Sequence, residues 1–145
     1  MRIAVSSDLD EPLARLVVAE LHRRGHTVIG YGALRAGDRD DWAWSAESAA
    51  RSVVDGQADQ AVVCCWTGTG ASIAANKVPG VRAALCADAY TADGARRWND
   101  ANVLAISLRL TSEPLLKEIL DAWFAGAAST EEDDRANVAH VAEIR

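Results

Sequence analysis

Residues 62–77 carry the densest chemistry in the chain: Val62-Val63-Cys64-Cys65-Trp66-Thr67-Gly68-Thr69-Gly70-Ala71-Ser72-Ile73-Ala74-Ala75-Asn76-Lys77. An apolar run ends in Cys65, a thiol that as a thiolate can act as a nucleophile or a base. Thr67, Thr69 and Ser72 add hydroxyls. Gly68 and Gly70 allow a tight turn whose backbone N–H groups are left to face a ligand. A helix-like segment follows. This order places reactive side chains and free N–H groups at the C-terminal edge of a strand, where open α/β sheets bind ligands, and it implies a small-molecule site. Structural alternatives stand beside each residue. Cys65 can be a packed thiol at a strand end, Thr67 and Ser72 can cap the following helix, and Asn76 and Lys77 can terminate it. Cys64, on the other face of the strand, and Cys86, at the end of another, read as core.

Strand-like and helix-like signals alternate around this stretch, the signature of βα repeats. Strands are expected at 3–5, 27–31, 59–65, 81–86 and 103–107, and helices at 11–24, 42–56, 68–78 (turn included), 91–99, 113–124 and 133–144. Asp10 is a candidate N-cap for the first helix, with Pro12 in its first turn and Gly25 as its stop. The stretch 59–65 is apolar on both faces, as a buried parallel strand is. The implied fold is a Rossmann-like three-layer α/β/α sandwich with a five-stranded parallel sheet.

The chain has 145 residues, half of them hydrophobic and a quarter charged, which fits one domain spanning 1–145 with a full core. A net charge of −6 with no basic patch argues against nucleic acid as a partner. No apolar run reaches membrane-spanning length, and no leader-like segment precedes the first strand. Three cysteines, two of them adjacent in an apolar run, form no disulfide framework, so a reducing cytoplasm is expected. The three histidines lack metal-ligand spacing, so neither metal nor cofactor is expected. Gly68-Thr69-Gly70 follows the third strand rather than the first, and position 73 is Ile, which disfavours a dinucleotide fingerprint.

Longer segments carry a resemblance. Cys65-x-Thr67-Gly68-x-Gly70-x-Ser72-Ile73-Ala74-Ala75-Asn76-Lys77, then Gly80-Val81-Arg82-Ala83, Asn99-Asp100-x-Asn102-Val103-Leu104-Ala105, Arg109 and Asp121-Ala122-Trp123 share order and spacing with the ribose-5-phosphate isomerase B family. That family also includes the galactose-6-phosphate isomerase subunits. The resemblance implies a metal-independent aldose–ketose isomerase, an intramolecular oxidoreductase working through a cis-enediolate. It implies Cys65 as the base and Thr67 with the backbone N–H groups of Gly68, Thr69 and Gly70 as the oxyanion site. Asp8, Ser72 and Asn99 match substrate-binding positions, Asp8 also being able to cap a turn. The resemblance further implies sites shared between two subunits of a homodimer or tetramer, with a C-terminal arm at about 131–145 packing on the neighbour.

The departures concern substrate. Trp98 stands where the family has the histidine assigned to opening a furanose ring, and Leu9 stands where another histidine follows the aspartate. The Asp-Tyr-Pro-x-Tyr-like loop becomes Asp41-Trp42-Ala43-Trp44-Ser45. Of the C-terminal arginines that contact phosphate only Arg135 remains, beside Glu131, Glu132, Asp133 and Asp134, where a dianion meets repulsion. Trp66 replaces a small residue inside the motif. Trp42, Trp44, Trp66 and Trp98 are candidates for the walls of one cleft, with a subunit interface as the alternative. The expected ligand is a sugar or sugar phosphate other than ribose 5-phosphate. The alternatives are a non-catalytic metabolite-binding member and one subunit of an isomerase with an unlike partner chain.

Overall fold

The computed structural model describes residues 1–144. In chain order the elements are β1 (Arg2–Ser7), α1 (Pro12–Arg23), β2 (Thr27–Gly32), α2 (Trp42–Val54), β3 (Gln60–Cys65), α3 (Thr69–Asn76), β4 (Ala83–Leu85), α4 (Ala89–Asn99), β5 (Val103–Ser107), α5 (Glu113–Ala125) and α6 (Glu132–Glu143). All strand pairs are parallel, in the order β2-β1-β3-β5-β4. This is the layered α/β fold that the alternating pattern predicts.

Two helix starts differ from expectation. Asp10 does not cap α1; Glu11 occupies the cap position without a side-chain bond, and Asp10 pairs with Arg15 at 2.6 Å. α4 begins earlier than its apolar pattern suggests, because the Asp88 carboxylate accepts a 2.7 Å hydrogen bond from the Thr91 N–H and caps it.

Period-two alternation sorts the strand residues onto two unlike faces. Ile3, Val5, Val62, Cys64, Leu104 and Ile106 meet α1, α4 and α5, where Leu21, Leu116, Ile119, Leu120 and Trp123 fill a core of large side chains. On the other face Ala4, Ala61, Val63, Cys65, Val103 and Ala105 meet α2 and α3 through Ala46, Ala49, Ala50, Ala71 and Ala75. Methyl-sized side chains let α2 and α3 approach the sheet and each other closely. The separation of Cys64 from Cys65 onto opposite faces follows from the same alternation.

The strand order creates the crevice. From β1 the chain steps outward to β2, then crosses back to place β3 on the other side of β1. The connections leaving β1 and β3 therefore diverge, and the gap between their C-terminal ends is a topological switch point, where such folds bind ligands. α6 buries none of its residues and lies beside α4. Among the described residues no helix is long and apolar enough to cross a membrane.

Trp123 is the largest fully buried side chain, and its Nε1–H donates to Gln60 Oε1 at 2.8 Å. Trp123→Ala should lower the unfolding free energy by about 4 kcal/mol through cavity formation. Trp123→Phe, which mainly strands the Gln60 acceptor, should cost about 1–2 kcal/mol. Urea titrations followed by far-ultraviolet circular dichroism measure both.

Candidate active site

Cys65 is the last residue of β3 and is 5% exposed. The turn after it is fastened to the extension of β5. Leu108 N–H donates to Cys65 O at 3.0 Å, Arg109 N–H to Trp66 O at 2.9 Å, and Ser107 Oγ–H to Trp66 O at 3.1 Å. Gly68 then turns the chain into α3 at φ +76°, a left-handed conformation that suits glycine. A Cβ here would lie 2.6 Å from Leu85 Cδ1 and 2.9 Å from both Ile106 C and Ser107 N. The turn thus rests directly on the backbone of the neighbouring strand, and no side chain fits between.

α3 opens without a side-chain cap. Thr67 and Ser72 do not serve that role; the Thr67 hydroxyl instead lies 2.7 Å from the Thr69 hydroxyl, on the exposed rim of the turn. The first intrahelical bond runs from Ser72 N–H to Gly68 O at 3.1 Å, so the N–H groups of Thr69, Gly70 and Ala71 precede the helical ladder. These donors, two hydroxyls and the Cys65 thiol share one edge of the sheet. Such a set can place a base beside a carbon acid and stabilise oxygen-centred negative charge. The other two cysteines are unsuited to this, since burial pushes the Cys64 and Cys86 thiols up to about 12, with smaller contributions from Cys65 and Asp8 at Cys64 and from Asp88 at Cys86.

Asp8 occupies the opposite bank, just past β1. Its Oδ1 is buried and has no hydrogen-bond partner among the described residues. Burial first, and the charge of Asp40 to a smaller degree, lift its carboxyl above the usual range against the pull of its own backbone N–H. Asp40 reaches this bank because Ala33 N–H donates to Ser7 O at 2.8 Å and Gly32 N–H to Asp38 Oδ2 at 2.7 Å, folding the loop after β2 onto the end of β1. Among the described residues no three His, Cys, Asp or Glu side chains are placed to hold a metal ion.

Within one chain Trp98 and Asn99 lie away from this edge, so the four tryptophans do not gather in one cleft of a single chain. A helix that follows a parallel strand returns to the opposite edge, and the eleven residues of α4 cover about 16 Å. Trp98, 42% exposed, folds back over Gly94 and meets Tyr90 edge-on. It lines a groove of about 250 Å³ with Asn76, Arg82, Asn99, Asn137 and Val141, beneath α6. Trp66, 48% exposed, stays on the Cys65 turn. Trp44 is stacked under the Arg39 guanidinium at 3.5 Å. Trp42 lies against Gly70, in the first turn of α3. Within one chain the candidate residues therefore form two groups: Asp8 with Cys65 through Ser72 at one edge, and Trp98 with Asn99 at the other.

A family described as Ribose/Galactose Isomerase matches residues 3–142. The chain belongs to this family. Ribose-5-phosphate isomerase B of Escherichia coli K12 is 42% identical over 107 residues, covering 74% of this chain and 71% of that protein. D-erythrulose-4-phosphate isomerase of Pectobacterium atrosepticum is 36% identical over 124 residues, covering 85% of this chain and 82% of that one. Among solved structures, ribose-5-phosphate isomerase B of Clostridium thermocellum superimposes with a TM-score of 0.89 at 36% identity, over 99% of this chain and 96% of that one. The Cys65 turn and the divergent Trp98 position thus lie in a sugar-phosphate isomerase fold.

The Asp8 carboxyl carries a pH signature. Because its folded pKa is raised, the folded state holds the proton more tightly than the unfolded state does, so this group costs stability as pH rises above the ordinary aspartate range. Asp8→Asn should raise the melting temperature at pH 7, and the gain should shrink towards pH 4, roughly the ordinary aspartate pKa. Paired thermal melts across that range measure the difference.

Proposed function

We propose that the protein interconverts a short, open-chain aldose phosphate and its ketose through a cis-enediolate, with Cys65 as base. The Cys65 thiolate takes the proton from C2, next to the carbonyl, and returns it to C1, the former carbonyl carbon, while the proton of the C2 hydroxyl passes to the C1 oxygen within the enediolate. The charge that develops on oxygen meets the N–H groups of Thr69, Gly70 and Ala71 and the Thr67 hydroxyl. Asp8, across the switch point, takes a sugar hydroxyl. Arg109 follows β5 at the same exposed edge and has no ion-pair partner among the described residues, so it is available to the phosphate. The observation that carries the proposal is the Cys65 turn itself: a thiol at the switch point beside helix N–H groups that precede the helical ladder, in a chain of this family.

The open-chain substrate rests on Trp98. An indole has no group that can protonate a ring oxygen and accept a hydroxyl proton, as ring opening requires. A four-carbon aldose with its terminal oxygen phosphorylated has no hydroxyl left to close a five-membered ring. It needs no ring-opening group, and the similarity to D-erythrulose-4-phosphate isomerase supports the same size of substrate. Because Trp98 and Asn99 lie at the far edge of the sheet, the proposal includes a second copy that brings its own pair to the Cys65 edge. α6, none of whose residues is fully buried on its own chain, is the arm that crosses.

The test is proton exchange in deuterated water over four- to six-carbon sugars and their phosphates, followed by nuclear magnetic resonance. Deuterium should enter C1 or C2 of the four-carbon phosphate. Cyclic ribose 5-phosphate should exchange at least about 100-fold more slowly, and Cys65→Ala should lose at least about 100-fold. Exchange that survives intact in Cys65→Ala removes the thiol from the mechanism. Absence of exchange across the panel favours a binding or subunit role instead.

A further inference from the structure

Trp42 opens α2, and its ring is not part of the core: it remains 48% exposed. Its six-membered ring nevertheless sits where a side chain on residue 70 would be. A Cβ on Gly70 would lie 2.8 Å from Trp42 Cε3, 3.1 Å from Cδ2 and 3.2 Å from Cζ3. The first turn of α3 is thus held from two sides. Gly68 rests on the Ile106–Ser107 peptide, and Gly70 is covered by an indole from another helix. The alanine contacts between α2 and α3 set the helix spacing that lets Trp42 reach this position.

α3 needs such a hold. It has eight residues and no side-chain cap, so isolated helix energetics do not fix its first turn. Three of its N–H groups are the proposed donors to the developing oxyanion, and donors act in proportion to how well they are preorganised. We infer that Trp42 is a positioning residue for this reaction, clamping Gly70 so that the N–H groups of Thr69, Gly70 and Ala71 keep a fixed direction relative to Cys65. The inference rests on the isomerase reading, but its mechanical half is measurable without any substrate.

The test combines Trp42→Ala, Trp42→Phe, Gly70→Ala and the Trp42→Ala/Gly70→Ala double variant. Amide exchange of α3 is read by mass spectrometry at a temperature where all variants stay folded. Trp42→Ala should speed exchange of the α3 amides by about tenfold while α5 is unchanged, a local loosening rather than a global one. For the substrate found in the proton-exchange assay, kcat should fall about 100-fold, the cost of misplacing reacting groups by about an ångström. KM should change less than about threefold, because donors that act on the transition state leave ground-state binding alone. Trp42→Phe should restore most of both. Alanine is a better helix former than glycine, so Gly70→Ala should harm only through its clash with Trp42. It should therefore lower kcat in the native background and cost less than about threefold more once Trp42 is Ala. Trp42→Ala with native α3 exchange and native kcat overturns the inference, as does a Gly70→Ala penalty of equal size in both backgrounds. If Trp42→Ala does not fold, Trp42→Phe and Gly70→Ala decide by the same readouts. If the native protein isomerises nothing, the functional proposal falls, and the α3 exchange still decides whether Trp42 holds the turn.

Discussion

The site depends on the direct contact between Gly68 and the backbone of β5. A methyl group at that position would sit inside the Ile106–Ser107 peptide, so the turn can lie there only because the residue has no side chain and tolerates φ +76°. From that seat everything else at the edge follows. Trp66 O comes within reach of two donors from the β5 extension, α3 starts directly above the end of β3, and its first N–H groups emerge beside Cys65. Raising the turn by one methyl radius would break these hydrogen bonds and turn the helix terminus away from the thiol.

The two faces of the sheet divide the labour. Large side chains beneath α1, α4 and α5 supply most of the hydrophobic stabilisation, with Trp123 and seven leucine and isoleucine residues fully buried on that side. The alanine-lined face contributes less transfer free energy per residue but sets distance. It lets two helix N-termini meet above the crevice, one opening at Trp42 and the other at Thr69. Precision at the site thus comes from the face with the smaller side chains. Asp8, with one buried carboxylate oxygen left without a partner among the described residues, is a cost to the fold at the crevice.

Much of this is legible in the sequence because it is local. Strand and helix alternation, the buried character of residues 59–65, the turn glycines and the split of Cys64 from Cys65 all follow from short-range periodicity. The Asp88 cap is of the same kind, although the weak apolar pattern of α4 hides it. What stays hidden is set by long-range packing. Residue type groups Trp42 with Trp66 as candidate cleft walls, but nothing local places its ring on Gly70, and nothing near Asp8 announces Asp40. The position of Trp98 is an intermediate case. Its place in the motif groups it with Cys65, whereas the rule that a helix returns to the opposite edge separates them by the length of α4. The rule about topology is the one that a single chain obeys, and the proposed second copy is what would bring the two groups together.

A crystal structure with a hydroxamate analogue of the four-carbon enediolate phosphate would show whether the Cys65 turn holds the reacting oxygens. The hydroxamate oxygens should lie within hydrogen-bond distance of the Thr69, Gly70 and Ala71 N–H groups, with Cys65 Sγ facing the planar carbon. An analogue seated in the groove beside Trp98, with the Cys65 turn unoccupied, would contradict this placement.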